Sequence, residues 1–392
     1  MSERTQTVRQ LDTHRRLVSQ PGRREPGAGL TLDAIVVPAS RPAEHLEQAI
    51  TLARTAHCTL LILCSRHVVP AEVQRLLAER SFSHAIVVSL PDGYRHELLD
   101  FRALASVSDD LPAPCSYYVT DLSTKRNLGL ILARMLGWRR IFFLDDDIRG
   151  ISYHDLHSTV SMLGYFSTAG MRVADFPDNS VACHANRITG RLQDVFVTGA
   201  ALAVDCQQDM GFFPDMYNED WLFFYDNASR GRLSSSGRNV RQLPYDPFAD
   251  EQRAAWQEFG DVLAEGLYAL LERGLDVGYA TSAYWRQFLD ARRSFLEAII
   301  DRSDTASPEV RQQMLRSVEL ALECSITISP ELLEHYVWRW RQDLRDWERR
   351  LAGIGQMPSA EAALRALGFT WSPDGWAAEP AWSHVRRARS GR

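Results

Sequence analysis

The chain has 392 residues, of which 45% are apolar and 24% are charged, which is the composition of an ordinary globular protein with about two or three domain cores. Its net charge of −6 argues against a general nucleic-acid-binding protein, which would need a basic surface. No apolar run approaches the roughly 18 residues of a transmembrane helix, and the N-terminus lacks the apolar core of a signal peptide.

The first 30 residues differ in composition from the rest of the chain. They carry six arginines, with proline and glycine near the end, and few large apolar side chains. This composition predicts a disordered basic arm over 1–30, and a basic docking arm is the alternative.

The six cysteines are scattered along the chain and include no C-x-x-C pair. They are Cys58, Cys64, Cys115, Cys183, Cys206 and Cys324. This spacing favours reduced thiols and a cytoplasmic location over a zinc site or a disulfide framework.

Short strands alternate with helices from residue 31 onwards. The predicted strands are 33–38, 58–66 and 83–90, and the predicted helices are 41–56 and 70–80. This alternation implies an α/β fold whose parallel strands are joined by right-handed crossovers. Residues 91–120 are less regular and contain a short helix and a strand at 115–120.

Residues 123–147 hold the most informative pattern in the chain. Apolar residues at helical spacing follow Ser123, which can cap a helix, and Gly137 stands where a left-handed residue ends it. A buried strand at 141–144 then runs into three consecutive aspartates, 145–147. Ligands of open α/β sheets bind at this end of the strands, and crowded carboxylates suit Mg²⁺ or Mn²⁺. A solvated acidic turn is the alternative.

The second half of the chain is less regular at first and then becomes helical. Residues 148–194 are polar and are predicted to form loops over the acidic cluster. Two short strand-like pieces broken at Gly199 occupy 195–205, and a helix begins near Glu219. Further helices are predicted at 251–273, 281–302, 308–324, 330–353 and 359–367, and the tryptophan stripe of the fourth favours a packed core.

The chain therefore divides into an arm (1–30), an α/β domain (31–250) and a C-terminal helical region (251–392). Three roles remain open for the helical region. It can form a homodimer interface, provide a platform for a substrate, or simply extend the core.

Five local patterns follow the order found in the nucleotide-sugar-binding half of GT-A-fold glycosyltransferases. They are AIVVPASRP (34–42), KRNLG (125–129), FLDDD (143–147), VTGAALAV (197–204) and NEDW (218–221). The resemblance is to the large family-2-type group and covers about residues 31–245. It implies a GT-A-like (Rossmann-like) mixed sheet flanked by helices, followed by the C-terminal α-helical region.

The resemblance assigns Mn²⁺ or Mg²⁺ to Asp147 and Asp145, where the cation would act as a Lewis acid for the charge on a leaving diphosphate. It also directs Asp145 towards the ribose or sugar. Alternation along a strand would put these two carboxylates on one side and Asp146 on the other. Weaker candidates for a third ligand, each more commonly a surface or structural histidine, are His154, His157 and His184.

The first strand and its loop meet the nucleotide base in the family that the chain resembles. The resemblance predicts a nucleotide-sugar-binding set of Pro38, Ala39, Ser40, Arg41, Cys64, Lys125, Arg126, Asp145, Asp146 and Gly199. Arg126 can hydrogen-bond the nucleotide or the acidic cluster, whereas Lys125 is equally well a solvated residue at a helix start. Because Cys64 stands where the family carries a polar or acidic residue, the base stays undetermined.

The acceptor hydroxyl must lose a proton during transfer, and a carboxylate within hydrogen-bonding distance can take it. The resemblance assigns this role to Asp220, with Glu219 as second choice. The alternative is that both carboxylates only complement the N-terminus of a helix. Trp221 is predicted to stack on a sugar or acceptor ring, or to belong to the core.

The sequence thus predicts metal-dependent transfer of a hexosyl or pentosyl group from a nucleoside diphosphate sugar to a soluble acceptor. Direct attack with Asp220 as general base would invert the anomeric carbon, and retention is not excluded. The alternatives are a nucleotide-sugar mutase, a nucleotidyltransferase on the same fold, or a non-catalytic binding or scaffold protein. Base, sugar and acceptor do not follow from the sequence.

Overall fold

The first half of the chain builds the centre of a β-sheet. The computed structural model describes residues 8–19, 30–111, 115, 120–174, 180–194, 196–208 and 210–378. The first four strands are β1 (Ala34–Ala39), β2 (Thr59–Cys64), β3 (Ala85–Ser89) and β4 (Arg140–Leu144). They are all parallel and lie in the order β3-β2-β1-β4. The predicted α/β class and these four strands are confirmed.

Helices cover both faces of this parallel sheet, which is why β1 and β2 are buried along their whole length rather than alternating. They are α1 (Glu47–Ala56), α2 (Pro70–Glu79), α3 (Leu122–Met135) and α4 (Tyr153–Ser161). Ile35 and Val37 face α1, α2 and α4, whereas Val36 faces α3. A Cβ on Gly129 of α3 would lie 2.9 Å from Val36, so glycine lets α3 approach β1 closely. Gly137 ends this segment in the predicted left-handed conformation.

Beyond β4 the sheet becomes mixed. The further strands are β5 (Ile148–Arg149), β6 (Thr168–Val173), β7 (Ala201–Asp205), β8 (Leu233–Gln242), β9 (Phe369–Ser372) and β10 (Gly375–Ala378). β7 is antiparallel to both β4 and β6, and β8 is parallel to β6. Over the described residues the order is β5-β8-β6-β7-β4-β1-β2-β3-β10-β9.

Two local predictions are wrong at least in part, and a third falls mostly outside the described residues. Residues 148–194 are not mainly loop, because they contain β5, α4, β6 and α5 (Val181–Ile188), with 175–179 outside the described residues. Only the second predicted strand at 195–205 forms, since residues 196–200 turn into the site described below. The predicted strand at 115–120 lies outside the described residues except at its two ends. The helix α6 (Glu219–Ser229) begins where the sequence predicts.

The five predicted helices form in the C-terminal region, but the prediction of an all-helical region is wrong at 369–378, where β9 and β10 extend the sheet. The helices are α7 (Arg253–Glu272), α8 (Ser282–Asp301), α9 (Pro308–Thr327), α10 (Pro330–Gly353) and α11 (Ala360–Ala366). Trp340 and Trp347 of α10 are buried, and they share one hydrophobic core with α3 and α6 of the α/β part. Among the described residues, no helix has the length and apolar character needed to cross a membrane.

A buried ion cluster holds α7 against α8. The guanidinium of Arg292 donates to both carboxylate oxygens of Glu258, at 2.7 and 2.9 Å, and to Asp261 at 2.7 Å. Burial raises the pKa of Glu258 to about 7, although Arg292 opposes this shift. The three charges pair with one another away from water, although Nη1 of Arg292 has no hydrogen-bond partner.

The N-terminal segment is ordered where the structure describes it, contrary to the predicted disordered arm. Val8, His14 and Val18 are buried, and a short 3₁₀ helix spans Arg15–Leu17. His14 Nε2 lies 3.0 Å from Glu265 of α7, inside a cage of aromatic rings. Three apolar or aromatic-packed side chains thus anchor a segment whose overall composition indicates disorder. The rest of the predicted arm, 1–7 and 20–29, lies outside the described residues.

The prediction of six reduced thiols is wrong for one pair. Cys115 and Cys324 form a disulfide with a Cα–Cα distance of 5.7 Å, and it joins the segment before α3 to α9. The pairing could not be read from the sequence, because the two residues are 209 positions apart. The other four cysteines are free and buried.

The disulfide should contribute to stability by restricting the unfolded chain. We expect the reductant dithiothreitol to lower the free energy of unfolding of the wild-type protein by about 2–5 kcal/mol, since the bond closes a long loop. Denaturant unfolding with and without reductant measures this effect. Cys115→Ser is the matched control, because reductant should leave its stability unchanged. An equal response of both proteins, or of neither, contradicts the assignment.

Candidate active site

A cavity of about 580 Å³ opens at the carboxyl ends of β1, β2 and β4. Most of the site residues predicted from sequence line it. They are Pro38, Ser40, Arg41, Lys125, Arg126, Asp145, Asp146, Asp147, Glu219, Asp220 and Trp221. Its size lies in the range of small-molecule sites. Patterns more than 180 positions apart in the sequence therefore meet in one place.

Three residues of the predicted nucleotide-sugar-binding set do not line the cavity. Ala39 and Cys64 end their strands with side chains in the core beneath α1 and α2, and burial raises the pKa of the Cys64 thiol to about 12. Arg66, two residues beyond Cys64, lines the cavity instead. Gly199 does not line the cavity either, and its backbone N–H instead donates a hydrogen bond to Asp220.

Arg126 holds the first aspartate of the acidic cluster. Its Nη2 donates to both carboxylate oxygens of Asp145, at 2.9 and 3.1 Å, and its Nη1 donates to Glu219 at 2.5 Å. The Arg126 side chain is buried in α3, and its guanidinium also lies over the ring of Phe213. Of its two predicted roles, the contact with the acidic cluster is therefore the one observed.

Asp146 supports the loop after β1. Its Oδ2 accepts the backbone N–H groups of Ser40 and Arg41 at 2.6 and 2.8 Å, and its Oδ1 accepts the guanidinium of Arg41 at 2.5 Å. The side chain is buried. Asp146 therefore positions the loop after β1, and it also lines the cavity, so its predicted contact with a ligand stays a prediction.

Asp147 lies at the inner end of the cavity and is nearly buried. Its Oδ2 accepts Arg41 Nη2 at 3.0 Å and Gln242 Nε2 at 3.3 Å. Burial raises the pKa of Asp147, the charge of Asp145 adds to this shift, and Arg41 opposes it. Because β4 ends at Leu144, residues 145–147 form a turn, and the predicted strand alternation does not hold.

Lys125 is buried rather than solvated. Its ammonium donates to the carbonyl oxygen of Ala39 at 2.7 Å and lies 3.4 Å from Asp121. Burial lowers the pKa of Lys125, and Asp121 opposes the shift. This side chain therefore joins the start of α3 to the end of β1, beneath the cavity floor.

Glu219 and Asp220 begin α6 opposite the acidic cluster. Asp220 Oδ2 accepts the backbone N–H of Gly199, and Oδ1 accepts that of Trp221, both at 2.8 Å. A Cβ on Gly199 would lie 2.7 Å from the Cβ of Asp220, so this approach needs glycine. Asp220 thus does complement a helix N-terminus, and it also faces the cavity.

Burial raises the pKa of both carboxylates. The pKa of Glu219 rises to about 8, because Arg126 only partly offsets the burial and Asp220 adds repulsion. The pKa of Asp220 is raised by burial as well, and Arg126 and the two backbone N–H groups oppose the shift. Both carboxylates therefore hold a proton more readily than exposed carboxylates do.

Trp221 belongs mainly to the core. It is 8% exposed, and its ring packs against those of His14, Phe196 and Tyr268 at centroid distances of 4.8–5.5 Å. Aromatic side chains that sequence analysis did not assign to the site line the cavity more openly. They are Tyr217, Tyr245 and Trp256.

The donor set fits a divalent cation on electrostatic grounds. The described residues that line the cavity include seven carboxyl groups and five cationic side chains, so acids outnumber cations by two. Asp145 and Asp147 both offer carboxylate oxygens, which are ligands that Mg²⁺ and Mn²⁺ accept. In the part of the chain that the structure describes, however, no group of three or more His, Cys, Asp or Glu side chains forms a ready metal cluster. The cation would therefore need oxygens from its ligand or from water.

The three histidines considered as further ligands do not line the cavity. His154 Nε2 lies 3.0 Å from Arg238 instead, and His157 contacts Tyr153 on α4. Burial lowers the pKa of His184 on α5 to about 4. None of the three is in a position to complete a site at Asp145 and Asp147.

No protein-family model matches this chain, and no curated protein matches it. The resemblance to GT-A-fold glycosyltransferases consequently stays a prediction from five short motifs. The function therefore has to be inferred from the residues that line the cavity and from their chemistry.

The raised pKa of Glu219 predicts a pH-dependent stability. The folded state holds a proton up to about pH 8 that the unfolded chain releases near its ordinary pKa of 4.5. This contribution to stability is fully present below pH 4.5 and is lost as the pH rises through 8, at up to about 1.4 kcal/mol per pH unit, and the raised pKa of Glu258 adds to the same slope. We expect Glu219→Gln to flatten this slope in chelator-treated protein, measured by denaturant unfolding between pH 5 and 8.5.

The matched control is Glu361→Gln, which removes an exposed carboxylate of α11 outside the cavity. This variant should keep the wild-type slope. A Glu219→Gln protein with an unchanged slope would contradict the assignment of the titration to Glu219.

Proposed function

We propose that this protein is a metal-dependent glycosyltransferase of the GT-A type, which moves a sugar from a nucleoside diphosphate sugar to an acceptor. One observation carries the proposal. A single cavity joins the carboxylates after the central strand β4 to a second carboxylate pair at the start of α6, with Arg126 bonded to both groups. Donor binding and proton abstraction need these two groups close to each other.

Asp147 and Asp145 would hold Mn²⁺ or Mg²⁺. When bound, the cation supplies positive charge that stabilises the leaving diphosphate. Arg41 would share this task, because its side chain is 41% exposed and its guanidinium bonds to both Asp146 and Asp147. Arg126 keeps Asp145 oriented while its own charge stays buried.

Asp220 is the proposed general base. Two backbone N–H groups fix the plane of its carboxylate, and each oxygen keeps a lone pair that can accept an acceptor hydroxyl. Glu219 is tied to Arg126 and serves to position the pair. Attack of the deprotonated oxygen on the side opposite the diphosphate would invert the anomeric carbon.

The donor site is tested by thermal stabilisation with a panel of nucleoside diphosphates, with and without Mn²⁺. At 100 times its dissociation constant, the matching nucleotide should stabilise the wild-type protein by about 2.7 kcal/mol. Asp147→Asn should remove the Mn²⁺-dependent part, because it removes a proposed metal ligand. The control Asp246→Asn changes an exposed carboxylate in the same cavity and should keep the effect. If no nucleotide stabilises the wild-type protein, the proposal fails and a scaffold role gains support.

The general base is tested by hydrolysis of the nucleotide sugar that matches the stabilising base, with water as acceptor. Asp220→Asn should lower this rate at least about 100-fold while stabilisation by nucleotide and Mn²⁺ persists, because only proton removal is lost. Asp226→Asn, on the same helix, should keep the wild-type rate. Wild-type activity in Asp220→Asn would exclude Asp220 as the base, and conversion of the donor to an isomer would indicate a mutase.

A further inference from the structure

The cavity extends past the carboxylates to a wall built at the junction of β8 and α7. Tyr245, Arg253 and Trp256 line this wall, and Tyr217 packs the edge of its ring against Trp256 at a centroid distance of 6.4 Å. None of these four residues belongs to the predicted site. The first turn of α7 thus gives the helical region a direct part in the cavity.

Arg253 is held in place by rings instead of carboxylates. Its guanidinium carbon lies 4.5 Å from the ring centroid of Tyr245 and 5.9 Å from that of Trp256. Its Nε is buried and has no hydrogen-bond partner. Such stacking fixes a cation without neutralising it.

The other cationic side chains of the cavity all face acids. Arg41 binds Asp146 and Asp147, and Arg126 binds Asp145 and Glu219. The remaining two, Lys125 and Arg66, each pair with Asp121. Within the described part of the chain, Arg253 is the only cavity cation without a carboxylate within 4.0 Å.

The strand order separates Arg253 from the proposed donor side. Ser40, Arg41 and Arg66 follow β1 and β2, which lie on one side of β4. The residues after β8 lie on the other side of β4. With the metal ligands at the end of β4, Arg253 faces the half of the cavity that remains for the acceptor.

We propose that the acceptor carries a carboxylate group that binds Arg253, beside a ring or apolar body that packs on Tyr217 and Trp256. This proposal rests on the proposed function, because it identifies the chemistry of the second substrate. A single guanidinium in a cavity where acids outnumber cations matches a carboxylate, which has one charge, better than a phosphate dianion. The acceptor is thus a hydroxy acid of small-molecule size.

A pair of neutral and charged probes tests the proposal without knowledge of the natural acceptor. 4-Hydroxybenzoate and 4-hydroxybenzamide have nearly the same shape and differ in charge. Titration calorimetry in the presence of Mn²⁺ and the stabilising nucleoside diphosphate measures the affinity of each. We expect the wild-type protein to bind the acid roughly tenfold more tightly than the amide, because only the acid makes a charge-assisted hydrogen bond. Phenyl phosphate should bind less tightly than 4-hydroxybenzoate.

Arg253→Met should lose the preference for the acid while nucleotide and Mn²⁺ still stabilise the protein. The matched control Arg286→Met removes the same charge from an exposed arginine of α8 outside the cavity and should keep the preference. Arg253→Lys retains the positive charge and should keep part of the preference. This variant separates the loss of charge from a folding defect caused by substitution at this position.

Each outcome decides between the two proposals. An unchanged preference in Arg253→Met, no preference in the wild-type protein, or tighter binding of phenyl phosphate overturns the carboxylate assignment. Loss of nucleotide stabilisation in Arg253→Met would place Arg253 on the donor side and would also overturn the carboxylate assignment.

If nucleotides fail to stabilise even the wild-type protein, the titrations are run without them. A preference for the acid that depends on Arg253 would then show that the anion subsite stands and the transferase proposal fails.

Discussion

The buried guanidinium of Arg126 is the interaction on which the cavity depends. It donates to Asp145 after β4 and to Glu219 at the start of α6, so one side chain of α3 ties two distant parts of the chain together. Loss of one partner from such a buried ion pair costs about 3–5 kcal/mol, because the remaining charges have neither water nor a counter-ion. The ring of Phe213 packs against the same guanidinium and limits its movement. The spacing of the two carboxylate groups is therefore set inside the protein, before any ligand arrives.

This arrangement leaves the cavity with more carboxyl groups than cationic side chains. Burial raises the pKa values of Asp147, Glu219 and Asp220, and in each case a nearby arginine offsets only part of the shift. Raised pKa values cluster at functional sites, since a structure with no use for such charges would replace them. A bound cation would relieve this repulsion, whereas a neutral ligand would not. The electrostatics of the cavity thus favour a bound cation, which would in turn allow an anionic ligand to bind beside it.

Sequence analysis recovered what is encoded locally. The strands β1 to β4 and the five C-terminal helices carry their signal in short apolar periods, and the aspartates 145–147 stand out because they follow such a period directly. What it missed is non-local. The antiparallel direction of β7, the strand β8 and the Cys115–Cys324 bond depend on partners far along the chain. Arg253 was missed for the same reason, since a solvated arginine and one stacked on Tyr245 look alike in sequence.

The helical region does more than extend the core, because its contacts converge on the loop that carries the proposed base. Asn218, in a left-handed conformation just before α6, donates to Asp261 of α7 at 2.8 Å, and Asp261 in turn accepts from the buried Arg292. The hydroxyl of Tyr268 donates to the carbonyl oxygen of Trp221 at 2.9 Å. A Cβ on Gly260 would overlap the backbone of this loop, so α7 lies directly against it. The loop is therefore supported from behind by rigid helices, which is what a precisely placed carboxylate requires. The same helix presents Arg253 at its first turn, so one helix supports both the proposed base and the proposed anion subsite.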